Sequence, residues 1–474
     1  MTPHHAPWQL RAAFAVRLSA MYGREVPAYA TLVDVSREVN EDVLRARGAD
    51  AERLGSIGRV TAERHGAIRV GTPAELGQAA RIFGALGMRP VGFYDLREAA
   101  ASAVPVVSTA FRPVAADELA RNPFRVFTSL LTPADPRFFD DGLRRRLEGF
   151  LAARELFPAE LLALADRAER DGGLGGADAE RFLELAVAAF ELSAEPLDKG
   201  WYEELERVSA VAADIGGVRG THLNHLTPRV LDIDELYRRM TARGVEMIDT
   251  VQGPPAWEGP DVLLRQTSFR ALDERRALRL ADGRVVSGTL RVRFGEVEAR
   301  GIALTRAGRA LYDELLTRVD ERAPAGPAER ADAARELWRA RFPRTERELA
   351  SRGLGHFTYH VVADRPRAGS PPPARLQDLV DQGWVRAEPL VYEDFLPRSA
   401  AGIFQSNLRD AGVRDDGRAG VAYDLDWMSG VLGREVADPF ALYEARERGS
   451  LERVAGELGL PGGLPEGPAG GLAP

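Results

Sequence analysis

Residues 221–249, THLNHLTPRVLDIDELYRRMTARGVEMID, switch between two hydrophobic periods within a short span. Leu223, His225 and Thr227 alternate with His222, Asn224 and Leu226, which is the period of a strand. Asp232, with Glu235 three residues on, predicts a capping box that opens a helix. That helix carries Leu236 and Met240 on one face and ends near Gly244, and a second strand is predicted over 245–251. The same design occurs earlier. In RHGAIRVGT a strand places His65, Ala67 and Arg69 on one face. Thr72 and Glu75 predict another capping box, with Pro73 at the first helical position. The helix runs through Leu76, Ala80 and Phe83 to Gly87, and a strand follows at 90–94. In both units a histidine stands seven residues before the cap, His65 before Thr72 and His225 before Asp232. This points to a duplicated module with a site between its copies. Strand–helix–strand units are common, so a coincidence of spacing is the competing reading.

Around these units, 7–21 and 29–48 are predicted helices, and 104–114 and 124–131 are predicted strands. From 135 to 215 the apolar residues recur at helical spacing (Leu147, Phe150, Leu151; Leu161, Leu162, Leu164; Phe182, Leu185, Phe190). The expected organisation is one catalytic domain, residues 1–460. Module one covers about 55–134, a helical insertion about 135–215 and module two about 216–315. Further strands fall at 262–270 and 288–299. The C-terminal part, 316–460, holds a helix at 329–341 and a Pro/Gly-rich loop at 365–373. The Gly/Pro-rich tail, 461–474, is read as disordered.

The chain has 474 residues, 45% hydrophobic and 28% charged, with a net charge of −8. This is the balance of a globular protein, and it disfavours nucleic acid as a partner. No apolar run approaches the roughly 20 residues of a membrane helix, and no signal peptide is evident, so a cytoplasmic protein is expected. Cysteine is absent, which removes disulfides, thiolate nucleophiles and cysteine metal sites. Lys199 is the only lysine, so no GxxxxGK[ST] loop exists, and no GxGxxG follows a strand. Nucleotide, pyridoxal phosphate and dinucleotide chemistry are disfavoured. A small-molecule substrate and a monomer or homodimer are expected.

The chemistry then rests on histidines, carboxylates and arginines. His4 and His5 lie at a terminus, leaving His65, His222, His225, His356 and His360. On a strand His222 and His225 face opposite sides; His225 matches His65 in register, so His222 is read as a supporting or surface residue. A lone buried histidine is usually structural. In residues 289–304, alternation puts Leu290, Val292, Phe294, Glu296, Glu298 and Arg300 on one face. A carboxylate at the end of an apolar row is costly to bury without a cation. Glu296 is the ligand candidate, and Glu298 is a partner for Arg300 or another arginine; the plainer reading is an exposed strand end. His65, His225 and Glu296 would form a two-histidine, one-carboxylate set. Such a set leaves positions open on Fe(II) for a chelating oxo acid and dioxygen. Arg69, about 13 Å along the strand from His65 by strand rise, would grip a carboxylate at the substrate's far end, unless it is one of many surface arginines.

The stretches HGAIR, VPVVSTAFRP, NPFRVFTSLL, HLNHLTPR, FGEVEARGIALTRAGRALYDEL and EDFLPRSAAGIFQSNL resemble the bacterial and plant 2-oxoadipate dioxygenase/decarboxylases. That family is a branch of the vicinal-oxygen-chelate superfamily, and the resemblance covers roughly residues 10–445. It implies an α+β fold of duplicated βαβββ modules, forming a curved sheet or open barrel around a metal site. It also implies Fe(II) and conversion of 2-oxoadipate and O2 to 2-hydroxyglutarate and CO2, in lysine breakdown. The family's ligands fall on His65, His225 and Glu296, and its substrate-carboxylate arginine on Arg69. Ser399 matches a stretch expected to line the pocket. Arg398 stands where the resemblance leads to a small apolar residue, which bears on substrate length. His356 and His360 match nothing assignable; GHFTYHVV is read as a strand near the site or as core. The alternative is a glyoxalase-like metal-dependent isomerase or lyase on the same fold, with His222, Glu298 or His360 as fourth ligand. A metal-free binding protein of this fold ranks last.

Overall fold

The computed structural model describes residues 4–98, 104–291, 293–322, 325–364, 371–397, 399, 403, 407, 414–415, 417–460 and 464. Arg398, Val292, most of the 365–373 loop and the predicted disordered tail other than Leu464 lie outside these residues.

Two long helices open the chain, α1 (Pro7–Glu25) and α2 (Pro27–Arg47), each started by a proline at its first position. The first unit is β1 (Arg64–Val70), α3 (Pro73–Ala85), β2 (Arg89–Asp95), β3 (Val106–Arg112) and β4 (Arg125–Leu131). The predicted capping box of α3 is complete. Thr72 Oγ1 accepts from the Glu75 amide at 3.1 Å, and the Glu75 carboxylate accepts from the Thr72 amide at 3.1 Å. Helices then dominate residues 141–216, ending in α4 (Ala210–Gly216).

The second unit is β5 (His225–Pro228), α5 (Ile233–Ala242), β6 (Leu264–Phe269), a hairpin of β7 (Glu274–Arg279) with β8 (Val285–Leu290), and β9 (Gly295–Arg300). Here the sequence-based expectations need correction. The capping box of α5 is half made. Asp232 accepts from the Glu235 amide at 3.0 Å, but the Glu235 carboxylate is drawn to Arg238 and Arg239, both at 2.6 Å. The predicted strand at 222–227 shortens to β5, because residues 223 and 224 bond to Phe190 O and Ala67 O instead. The one predicted at 245–251 survives only as isolated bridges, Met247 to Phe269 and Gln252 to Gln266. The one at 288–299 is broken. Leu290 pairs with Glu274 in the hairpin, and β9 begins afresh at Gly295, so Leu290 is not in the row of Glu296. A Cβ at Gly295 would lie 1.7 Å from the Phe269 ring, so only glycine permits that restart.

The central sheet has the order β2-β3-β4-β1-β5, with β1 parallel to β4 and antiparallel to β5. Beyond β5 the pairing passes to β9 through a parallel Arg229–Glu298 bridge and a Val230 N to Glu298 O bond of 2.8 Å. Strand β9 pairs antiparallel with β6. The first unit thus runs first, fourth, third and second strand across the sheet, and the second continues it as β5, β9 and β6, with the isolated bridges of Met247 and Gln252 on β6. The fold is mixed α+β with several sheets and, among the described residues, no closed barrel. Alternation along β1 sends Ile68 and Val70 into an apolar cluster with α1, α2 and α3. Ala67 goes into the other, with the helices that precede β5. His65 and Arg69 share the Ala67 face, so both point into the protein between these layers. Among the described residues no helix is long and apolar enough to cross a membrane.

Candidate metal centre

Three strands deliver the site. Antiparallel register sets Thr227 opposite His65 and His225 opposite Ala67, and the β5–β9 link brings Glu296 to the same place. His65, His225 and Glu296 are buried, and one ligand atom from each lies within 4.8 Å of the others. The Nε2 atoms of His65 and His225 each stand 3.5 Å from a different oxygen of Glu296. The two imidazoles are perpendicular, with centroids 5.3 Å apart. This is a donor set for a metal that accepts nitrogen and oxygen, with one face left to other ligands.

Outer contacts aim these groups. His65 Nδ1 lies 2.8 Å from a Glu298 oxygen, and His225 Nδ1 lies 3.0 Å from Thr227 Oγ1, which leaves both Nε2 atoms for the shared centre. Gln266 Nε2 donates to Glu296. Phe395 stands edge-on to His65 at 5.0 Å, and Phe294 stacks on His225 at 5.5 Å, closing the site with apolar surface. Burial pushes His225 down to about 4, so its ring is neutral near pH 7, as a metal ligand must be. Burial acts the same way on His65, but the carboxylates of Glu298 and Glu296 outweigh it and raise its pKa. A cation at the centre would take over the proton's role there.

Glu298 is fully buried too. Burial disfavours its charge, yet Arg300, His65 and Arg125 hold its pKa down to about 2. Arg300 grips it with two nitrogens, at 2.7 and 2.9 Å. Arg125 also reaches Glu63 at 2.8 Å and Glu393 at 2.5 Å, and Arg229 reaches Glu63 at 2.9 Å. Arg59 adds a contact to Glu393 at 2.6 Å. A buried lattice of alternating charge therefore stands directly behind His65. Sequence reasoning paired Glu298 with Arg300 and missed the rest. Arg125 inside the apolar stretch PFRVF was the available signal, because a charge in a fully buried strand needs a partner.

Arg69 is not a surface arginine: it is buried and ion-paired with Asp214 of α4. Asn224 Nδ2 donates to the same Asp214 at 2.9 Å, and His222 Nε2 lies 3.1 Å from Asn224 Nδ2 and 3.3 Å from Asp214 Oδ1. His222 is accordingly buried, and supports this cluster rather than the surface or the metal centre. Of the possible fourth ligands, Glu298 faces the far side of His65. His360 is exposed on the strand Phe357–Val361, 3.5 Å from Glu388. His356 is core, 2.8 Å from Glu447 and stacked on Tyr443. Ser399 is buried, and Arg398 lies outside the described residues. A groove of about 1710 Å³, lined by Arg306, His356, Tyr359 and Glu447 among others, includes none of the three convergent residues.

Comparison with known proteins agrees with this chemistry. The family model described as 2-oxoadipate dioxygenase/decarboxylase matches residues 14–407. The 2-oxoadipate dioxygenase/decarboxylase of Mycobacterium tuberculosis is 56% identical over 437 residues, 92% of this chain and 96% of that protein. Its namesake from Pseudomonas putida is 44% identical over 468 residues, 96% and 98% of the two chains. The crystal structure of the Pseudomonas putida hydroxyglutarate synthase in complex with 2-oxoadipate superposes with a TM-score of 0.83 at 40% identity. That match covers 97% of this chain and 100% of that one.

Proposed function

The chain belongs to the 2-oxoadipate dioxygenase/decarboxylase family, and we propose the assignment of its activity to particular residues from that premise. It is an oxidative, decarboxylating enzyme that converts 2-oxoadipate and O2 to 2-hydroxyglutarate and CO2. His65, His225 and Glu296 are the ligands of one Fe(II). The convergence of these three buried donors, with apolar rings around them and an arginine four residues along from His65, is the observation that carries the reading. The donor set fits the metal: each imidazole turns its Nε2 toward a shared carboxylate that faces both.

Fe(II) bound here would supply open coordination positions and one-electron chemistry with dioxygen. The chain supplies the rest. Gln266 and Glu298 fix the orientation of Glu296 and His65, so the centre needs little rearrangement during reaction. Arg69 receives the substrate's distal carboxylate and so selects dicarboxylic oxo acids. Phe294 and Phe395 keep water from the reacting end. Ser399 belongs to the pocket wall that limits chain length. We read the two units as copies of a βαβββ module of vicinal-oxygen-chelate type, with residues 135–215 inserted between them in one catalytic domain, and we place the reaction in lysine breakdown.

The test is oxygen uptake by the Fe(II)-reconstituted protein with 2-oxoadipate, beside 2-oxoglutarate and 2-oxoisocaproate. Uptake with 2-oxoadipate, matched by CO2 and 2-hydroxyglutarate, is the expected result. No uptake with any oxo acid despite bound iron would overturn it.

A further inference from the structure

Arg300 of β9 holds His65 from two directions. It grips Glu298, the carboxylate against His65 Nδ1, and its Nη1 donates to the carbonyl oxygens of Tyr392 at 2.9 Å and Asp394 at 3.0 Å. The segment so held brings Phe395 edge-on to His65 at 5.0 Å, and the same ring meets Phe127 at 5.0 Å and the Arg300 guanidinium at 5.6 Å. The two residues just before Phe395 are fixed by Tyr443, from the helix Pro439–Leu458 near the C-terminal end. The Tyr443 hydroxyl accepts from the Glu393 amide at 2.8 Å and donates to Asp394 Oδ2 at 2.5 Å. Arg112 takes the same Asp394 carboxylate with two nitrogens, at 2.7 and 3.1 Å. Tyr443 is itself held. His356 stacks on its ring at 5.6 Å, and His356 Nδ1 lies 2.8 Å from Glu447, one turn further along the same helix. All of Glu393, Asp394 and Tyr443 are buried, so each of these polar groups depends on a partner within the protein. One hydroxyl therefore serves a buried amide and a buried carboxylate directly beside the ring that covers His65.

We propose that Tyr443 is a positioning residue for the metal centre: by fixing residues 393 and 394 it seats the Phe395 ring against His65. It thereby steadies the imidazole from the side opposite Glu298 and keeps water from the reacting end. Tyr443 acts only through Phe395, and His356 serves the site by holding the Tyr443 ring. This rests on the reading that His65, His225 and Glu296 hold the metal.

The experiment compares Tyr443→Phe, Phe395→Leu and the double variant with the unaltered chain. Each is loaded with Co(II), whose visible bands report ligand geometry without turnover, and separately with Fe(II) for oxygen uptake with 2-oxoadipate. Tyr443→Phe should shift the Co(II) bands and lower the 2-hydroxyglutarate formed per O2 consumed by about twofold or more, because water reaches the centre. The KM for 2-oxoadipate should stay nearly unchanged, since Arg69 is untouched. Phe395→Leu should act in the same direction. The double variant should do no more than the larger single change, because the two residues work as one unit. A fall in Tm with unchanged bands and unchanged product per O2 would make Tyr443 merely structural and overturn the proposal, as would effects that add in the double variant. The functional reading is tested separately by the unaltered chain. No oxygen uptake there, with Co(II) bands that still move in Tyr443→Phe, would count against the reaction and not against Tyr443. An unaltered chain that binds neither metal would overturn the metal reading and this proposal with it.

Discussion

A Glu298 carboxylate oxygen lies 2.8 Å from His65 Nδ1, while the same carboxylate is gripped by Arg300. Glu298 thus directs the opposite ring nitrogen of His65 toward Glu296, and Arg300 keeps Glu298 charged. Removing the contact by Glu298→Ala should weaken Fe(II) binding by roughly 10–100-fold. Glu298→Gln, which keeps an acceptor oxygen, should lose less. Competition titration against a chelator gives both numbers, and equal losses would show that shape alone matters there.

The ligand assignment separates residues that the sequence leaves close together. His225→Ala and Glu296→Ala should each abolish stoichiometric iron binding. His222→Ala should retain it, because His222 serves the Asp214 cluster. Metal analysis after gel filtration distinguishes them; iron loss in His222→Ala with retention in His225→Ala would reverse the assignment.

Arg69→Ala should reduce kcat/KM for 2-oxoadipate by about a hundredfold or more, and leave monocarboxylic oxo acids much less affected. It also strands Asp214 as a buried, unpaired carboxylate, so Arg69→Ala should lower Tm, and Arg69→Ala/Asp214→Asn should restore part of it. Equal catalytic loss on both substrate types would remove the anchoring role.

The charge lattice behind His65 predicts an acid limit to stability. Arginine neighbours outweigh burial and hold Glu63 well below the usual carboxylate range, and Glu393 down to about 2. Their folded pKa values lie below the unfolded ones, so their stabilising contribution is complete above about pH 4.5 and drains away as the pH falls toward 2. Melting curves of the metal-free protein from pH 7 to pH 3 should be flat in this contribution until about pH 4.5 and then fall.

Arg125→Met removes the cation shared by Glu63, Glu298 and Glu393. It should cost about 3–5 kcal/mol in a denaturant titration, because the carboxylates stay buried. A cost near zero would mean the remaining arginines suffice.

The sequence alone determined what local physics controls. Caps at Thr72 and Asp232 and the periods around them set both strand–helix units, because a cap bonds within three residues of itself. The alternation at Glu296 and Glu298 and the matched offsets of His65 and His225 singled out the convergent donors. Tertiary structure alone decided the rest. The break before Gly295 depends on Phe269, and the loss of strand at 222–224 on Phe190 and Ala67. Glu63, Arg125 and Glu393 are far apart in the chain and pair only once strands and loops have packed. Asp214 arrives at Arg69 from a helix that lies 145 residues further along the chain. Periodicity reports which face of an element is apolar. Which charge meets which depends on contacts between elements distant in sequence, and no local pattern encodes that.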